Sequence, residues 1–337
     1  MTAAPAVPLD ADLARIVAAL RAQGAPAPFA GGAPEARQRM ARAILAARDR
    51  HGVPEVGAVR DLTEAEAPVP GRVYRPATAG PHATVVFFHG GGFVLGSVEL
   101  MDDIARKLCR DMDAVVVSVD YRLAPEHPYP AAHDDALAAT QWVQAHAREL
   151  GGDPARVAVA GESAGANLAA SAALLCRDAG RPLAAQLLVV PGLDMARDTR
   201  RLEAAGRDYP MLSPADLRDI ARLYMGERAG EAATFPPSPL RADDLAGLPP
   251  TVIAVAGHDP LRSEGLAYAD GLRGAGVPVT LLRHDDMFHP FLGFFEASAA
   301  ARRANDDICR AFRDCLASLP QAGAKSPGHV APQEDPR

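Results

Sequence analysis

Lysine is nearly absent from this chain of 337 residues: only Lys107 and Lys325 occur, so its basic charge is almost all arginine. No block of like charge stands out, and 42 acidic against 35 basic residues leave a net charge of −7. That balance excludes nucleic acid or an anionic membrane surface as the main partner. No apolar run approaches the roughly 18 residues that a membrane span needs. Cysteine is scarce too: Cys109, Cys176, Cys309 and Cys315 match no zinc or redox spacing, and a disulfide framework is not expected at this density. The N-terminus lacks a basic segment followed by an apolar stretch, so no secretory signal is read and the cytoplasm is the expected compartment. No constellation of metal ligands appears, no cofactor is needed by the reading below, and no internal repeat is found.

What is present is apolar substance. At 48% apolar residues the chain is not a disordered one. Its length allows two domains at roughly 150 residues each, or one long α/β fold. Two amphipathic helices come first. Asp10 or Asp12 caps one carrying Leu13, Ile16, Val17 and Leu20 on a single face, and the second runs from about Pro34 to Arg50. From residue 53 the texture changes. Val56–Leu62 and Arg72–Arg75 read as edge strands, and Ala83–Phe88 as a strand buried on both faces. Strands and helices then alternate as far as Leu316, which implies right-handed crossovers and a mostly parallel sheet covered on both faces. The rhythm breaks at about 194–245, where Ser213-Pro214 starts an extra helix; an insert of this size between core strands is expected to be a lid or binding element. The stretch after Pro320, rich in Pro, Gly, Ala and charge, is expected to be disordered.

Gly161-Glu162-Ser163-Ala164-Gly165 carries the strongest chemical signal. It follows the strand RVAVA and opens the helix ANLAASAALL. A serine on so sharp a strand-to-helix turn lifts its hydroxyl clear of the sheet, and the helix N-terminus points its dipole at the reacting centre. His89-Gly90-Gly91-Gly92 directly follows the buried strand VVFF. Consecutive glycines make sense where backbone N–H groups must approach an oxyanion, so Gly91, Gly92 and Ala164 are assigned as donors. His89 and Gly90 are taken as loop support. A serine nucleophile needs a base, and the base needs an acid to orient it. In α/β-hydrolase order both follow the serine: Asp259 comes just past the strand TVIAVA, and His289 past the strand VTLL. His284 sits too near its strand and reads as a surface residue, while Asp285 and Asp286 compete with Asp259 for the histidine. Arg122 and Glu126 are expected to pair and brace the glycine loop, Asp134 and Asp135 to be helix-start charges, and Trp142 to be core. Phe93, Leu95, Tyr209, Met211, Leu212, Phe235, Met287 and Phe288 are candidates for the substrate pocket.

With these residues in hand, the chain resembles the hormone-sensitive-lipase-like esterases, the bacterial family IV carboxylesterases of the α/β-hydrolase fold. The resemblance rests on His89–Gly92, Tyr121–Glu126, Gly161–Gly165, Asp259–Arg262 and His289, and spans about residues 70–315. It implies a mostly parallel central sheet of about eight strands flanked by helices. Residues 53–193 and 246–319 would form that core, under a helical cap made of residues 1–52 and the insert 194–245, with 320–337 as the tail. It also implies short to medium acyl chains and allows a homodimer through the last strand. The sequence departs from the family pattern at Glu162, often Asp; at Ser263, often Asp; and at Asp286, often Gly.

The function expected is therefore a serine carboxylesterase acting on a small-molecule ester through Ser163, His289 and Asp259. An amidase, a carbamate hydrolase or a long-chain lipase would share the same triad. A ligand-binding protein without catalysis would be expected to have lost one of its members.

Overall fold

A computed structural model describes residues 7–319; the stretch expected to be a disordered tail, 320–337, lies outside the described residues. The chain opens with α1 (Ala11–Ala22) and α2 (Ala33–His51). Asp10 caps α1, its carboxylate accepting from the amides of Asp12 and Leu13. Strands β1 (Ala58–Leu62), β2 (Gly71–Arg75) and β3 (His82–Phe88) follow, then α3 (Asp102–Met112), β4 (Val115–Val119), α4 (Ala131–His146), β5 (Gly152–Glu162), α5 (Ala164–Asp178) and β6 (Gln186–Val189). Two more helices interrupt the alternation, α6 (Thr199–Ala204) and α7 (Pro214–Met225). Ser213 and Asp216 close a reciprocal capping box at the start of α7, as the Ser-Pro signal implies. The chain then resumes with β7 (Thr251–His258), α8 (Arg262–Gly274), β8 (Val279–Phe288) and α9 (Ala299–Ala317).

All eight strands join one sheet in the order β1-β2-β4-β3-β5-β6-β7-β8. β2 pairs antiparallel with both β1 and β4, and the pairs from β4 through β8 are parallel. β2 is thus an inner strand, not the edge its short run suggested, because β1 covers its outer side. Along β3 the side chains alternate between two cores. Val86 and Phe88 join the core that α4, α5 and α8 cover, while Val85 and Phe87 join the core that α1, α3 and α9 cover. Burial on both faces explains the unbroken apolar runs, and each fully buried Phe contributes about 1.5–3 kcal/mol. Lys107 is itself buried between α3 and α9, where its ammonium donates to Asp111 (2.5 Å) and Asp306 (2.6 Å).

The direction of the chain reverses about β3. From it the path runs to β4 on one side and to β5 on the other, and ligand chemistry in open parallel sheets collects beyond the strand ends at such a switch point. Phe88 of β3 lies beside Gly161 of β5, so the HGGG loop and the serine turn leave the sheet side by side. Among the described residues no helix is long and apolar enough to cross a membrane, and the four cysteines are unpaired.

Candidate active site

Ser163 stands between the last residue of β5 and the first of α5, with φ 59° and ψ −115°. A non-glycine residue there carries local strain of roughly 1–3 kcal/mol, which the packed strand and helix on either side hold in place. Gly165 shows why the pattern demands glycine. A Cβ on it would lie 1.9 Å from the Phe88 carbonyl oxygen, so no larger residue lets α5 start this close to the end of β3. The Ser163 hydroxyl is 2.8 Å from Nε2 of His289. His289 is the first residue after β8, and its Nδ1 lies 3.1 Å from Oδ2 of Asp259. Asp259 is the first residue after β7, and its other carboxylate oxygen accepts from the Leu261 amide at 2.8 Å. The carboxylate accepts from Nδ1–H, which leaves Nε2 free to accept the serine proton. All three side chains are buried.

The loop after β3 turns through Gly91, whose φ is +123° and where a Cβ would lie 2.1 Å from the Leu95 carbonyl oxygen. Its carbonyl accepts from the amides of Val94 and Leu95. Among the described residues, the amides of Gly91, Gly92 and Ala164 donate to no other group. His89 is wholly buried beneath this loop. Its Nδ1–H donates to the Gly90 carbonyl (2.7 Å), its ring stacks on Tyr121, and the Tyr121 hydroxyl donates to the His89 carbonyl (2.8 Å). Burial pushes the His89 pKa down, which keeps the ring neutral. Glu162 is buried as well; its carboxyl accepts from the Leu292 amide at 3.2 Å, and burial raises its pKa to about 7.

Several expectations need correction. Arg122 and Glu126 do not pair. α4 starts at Ala131 and brings Asp135 back under Arg122, which meets it through Nε and Nη2 at 2.7–3.0 Å. Asp135 is therefore an ion-pair partner and not a free helix-start charge. Glu126 turns to Arg37 of α2 (2.7 and 2.8 Å), and Arg37 also donates to the carbonyls of Val94 and Ala124. His284 is no surface residue: it lies inside β8, half-buried, with its ring 5.5 Å from that of Phe291. Asp285 faces Arg262 at 2.6 Å, and neither it nor Asp286 reaches His289, whose ring meets Asp259. Of the pocket candidates, Phe93 and Leu212 line the cavity that touches Ser163. Leu95, Met287 and Phe288 are spent on the two cores.

That cavity has a volume of about 20 Å³, a little more than one water needs. Leu217 and Ile220 of the extra helix α7 line it, and Ile220 and Phe29, the latter in the turn between α1 and α2, crowd Gly92 so closely that a Cβ there would lie 2.7 and 3.3 Å from them. Behind this wall runs a buried polar chain. The Tyr224 hydroxyl donates to Nδ1 of His133 (2.6 Å), His133 Nε2–H donates to the Asn167 side-chain oxygen (3.1 Å), and Asn167 Nδ2 donates to the carbonyls of Gly192 and Pro237. Arg37, His133, Asn167 and Tyr224 carried no signal in the sequence, since their partners lie 34 to 91 residues away.

Known proteins resemble this chain over most of its length. A family model for the alpha/beta hydrolase fold matches residues 85–293. Esterase LipI of Mycobacterium tuberculosis is 44% identical over 243 residues, covering 71% of this chain and 76% of that protein. Carboxylic ester hydrolase LipN of the same organism is 40% identical over 271 residues, 77% of this chain and 72% of its own. Among solved structures, the hyperthermophilic esterase from the archaeon Pyrobaculum calidifontis superposes with a TM-score of 0.84 at 36% identity, over 91% of this chain and 99% of that one. The chain belongs to the α/β-hydrolase fold family, within its hormone-sensitive-lipase-like group of bacterial family IV carboxylesterases.

Proposed function

We propose that this protein is a serine carboxylesterase that hydrolyses small esters with short acyl groups. The observation that carries the reading is the hydrogen-bonded line Ser163–His289–Asp259, at 2.8 and 3.1 Å, with each member at the exit of a parallel strand. His289 Nε2 takes the Ser163 proton as Oγ attacks the ester carbonyl carbon, and the carbonyl oxygen becomes an oxyanion. The amides of Gly91, Gly92 and Ala164 receive that charge; losing one such donor typically costs about 2.7–4 kcal/mol. Asp259 holds the imidazole tautomer and supports the imidazolium. As the tetrahedral intermediate collapses, His289 gives its proton to the leaving alkoxide and an acyl-serine remains. Water then repeats the cycle, with His289 as base, and releases the acid. The small cavity beside Ser163, walled by Leu212, Leu217 and Ile220, supports the short acyl limit.

In this reading residues 1–52 and 194–245 form the cap over the core of 53–193 and 246–319. β8 is one of the two edges of the sheet, and a homodimer through it is testable by light scattering. The function is tested by comparing wild type with Ser163→Ala on p-nitrophenyl esters from acetate to palmitate. Hydrolysis that peaks at short chains and is abolished in the variant supports the reading. Equal activity in the folded variant removes Ser163 as nucleophile, and no hydrolysis of any ester by wild type removes the esterase assignment.

A further inference from the structure

The loop that carries Gly91 and Gly92 turns sharply. Gly91 has a φ of +123° and Gly92 of +63°, and Phe93 takes +61° without being a glycine. A side chain in that region persists only where its surroundings hold it. The Phe93 carbonyl accepts from the Ala124 amide at 2.9 Å, which ties the loop to the segment after β4. Arg37 of α2 spans this joint. Its Nε donates to the Val94 carbonyl and its Nη2 to the Ala124 carbonyl, each at 2.8 Å. Val94 and Ala124 are fully buried. Among the described residues, neither carbonyl accepts from any other group. Buried carbonyls are almost always paired, and one left without a donor costs stability.

The same guanidinium meets Glu126, but the two side chains are 28% and 48% exposed, so water competes for that ion pair and weakens it. The two buried carbonyls have no such competitor. Without Arg37 both would need water, and the loop would have to shift to reach it. Val94 lies two residues beyond Gly92. Its own amide, with that of Leu95, closes the turn on the Gly91 carbonyl. A shift at Val94 is therefore passed to the peptides whose N–H groups the proposed mechanism uses. Oxyanion donors act by being fixed before the charge develops, and a misplacement of about 1 Å can cost about 10²-fold in rate.

We propose that Arg37 is a positioning residue for the oxyanion donors: acting through the Val94 and Ala124 carbonyls, it holds Gly91 and Gly92 in the geometry that receives the developing negative charge. This rests on the carboxylesterase reading and adds to it a residue from an N-terminal helix. The test measures kcat and KM on p-nitrophenyl butyrate together with the inhibition constant of propyl trifluoromethyl ketone. The Ser163 oxygen adds to the carbonyl carbon of that ketone, the serine proton passes to His289, and the ketone oxygen becomes an oxyanion, so its affinity reads the donors directly. Arg37→Met should lower kcat about tenfold, keep KM within about twofold, and weaken the ketone by the same factor as kcat/KM. Arg37→Lys keeps a cation beside Glu126 but cannot fork across two carbonyls, so it should show the same pattern in smaller measure; it carries the test if Arg37→Met does not fold. Glu126→Gln removes the ion pair and leaves both carbonyl contacts, and should lose clearly less than Arg37→Met. A raised KM with kcat kept overturns the proposal, since Arg37 would then only seat its helix. A fall in kcat with unchanged ketone affinity also overturns it, by placing the defect outside the oxyanion site, and an equal loss in Glu126→Gln overturns it by giving the role to the ion pair. If wild type neither hydrolyses the ester nor binds the ketone, the carboxylesterase reading itself has failed; if wild type does both, Ser163→Ala does neither and Arg37→Met matches wild type, only the role of Arg37 has.

Discussion

The strand ends and the helical cover above them are built on different principles. Ser163, Asp259 and His289 each follow the last residue of a strand directly, so the ladder of β5, β7 and β8 sets their positions. The cover has no such ladder. Phe29 and Ile220, which both crowd Gly92, come from segments nearly two hundred residues apart, and what seats them is side-chain contact: Arg37 on Glu126 and two loop carbonyls, Tyr224 on His133, Arg21 on Asp208. A backbone ladder fixes geometry for many sequences, whereas a set of single contacts can be changed one residue at a time. The reacting groups therefore sit on the rigid part, and the groups that bound the substrate sit on the adaptable part.

The largest expected effect probes the rigid part. Asp259→Asn should leave the fold intact and lower kcat by about 10⁴-fold, because an amide at Nδ1 favours the wrong imidazole tautomer. Asp285→Asn, beside Arg262 and away from His289, should stay within a few-fold of wild type. Steady-state kinetics on p-nitrophenyl butyrate decide the matter; similar losses in both variants would return the acid role to an open contest. Next in size is Glu162→Gln. Burial holds the Glu162 pKa at about 7 against an ordinary 4.5. Below about 4.5 both folded and unfolded chains carry the proton. Between about 4.5 and 7 only the folded chain does, so stability falls as pH rises through this window and is level above it. The whole fall amounts to about 3 kcal/mol. Glutamine keeps an acceptor for the Leu292 amide and cannot ionise, so in urea unfolding the variant should gain on wild type between pH 5 and pH 8. Parallel pH profiles would refute the burial argument.

The same division explains what the sequence made readable. The exits of β3, β5, β7 and β8 could be located because unbroken apolar runs end there and turn chemistry begins. The order of serine, acid and base then assigned each exit a part. The limit came where a contact joined distant segments. Nothing local in Tyr121–Glu126 says that Arg122 turns to Asp135 or that Glu126 waits for an arginine 89 residues earlier. Met287 and Phe288 looked like pocket residues because they adjoin His289 in sequence, yet both are buried in the core that α1, α3 and α9 cover. Arg37 was passed over because an arginine on a surface helix is ordinarily solvated; only the fold shows the two buried carbonyls that it meets.

Tyr224→Phe tests the cover from within. It keeps the ring that stacks on Phe93 at 3.9 Å and deletes only the hydroxyl that donates to His133. Nδ1 of His133 is then a buried acceptor without a partner, which typically costs about 1–3 kcal/mol. His133 cannot escape by gaining a proton near neutral pH, since burial holds its pKa down to about 4. Stability should drop by about that amount in urea unfolding, and KM should rise more than kcat falls, because the wall moves and the reacting groups do not. A drop in kcat alone would mean that the buried chain through Asn167 positions Ser163, and the separation of site from cover would be lost.

The smallest effect is expected at the rim of the cover, and its smallness is informative. Arg21 of α1 grips Asp208 with two hydrogen bonds, 2.6 and 3.0 Å, and draws the Asp208 carboxyl below its usual pKa. It is also the direct link between the N-terminal helices and the insert, and so looks like the clasp of the cap. Both side chains are more than half exposed, however, so water competes for each of them and ordering two flexible arms offsets most of the attraction. Arg21→Met should change stability by less than about 1 kcal/mol, and the difference should shrink further in 0.5 M salt, where the screening length is only a few ångströms. The esterase KM should move less than in Tyr224→Phe. If Arg21→Met instead raised KM severalfold and did so equally in high salt, the cover would be held at its exposed edge and not by the buried chain from Tyr224 to Asn167.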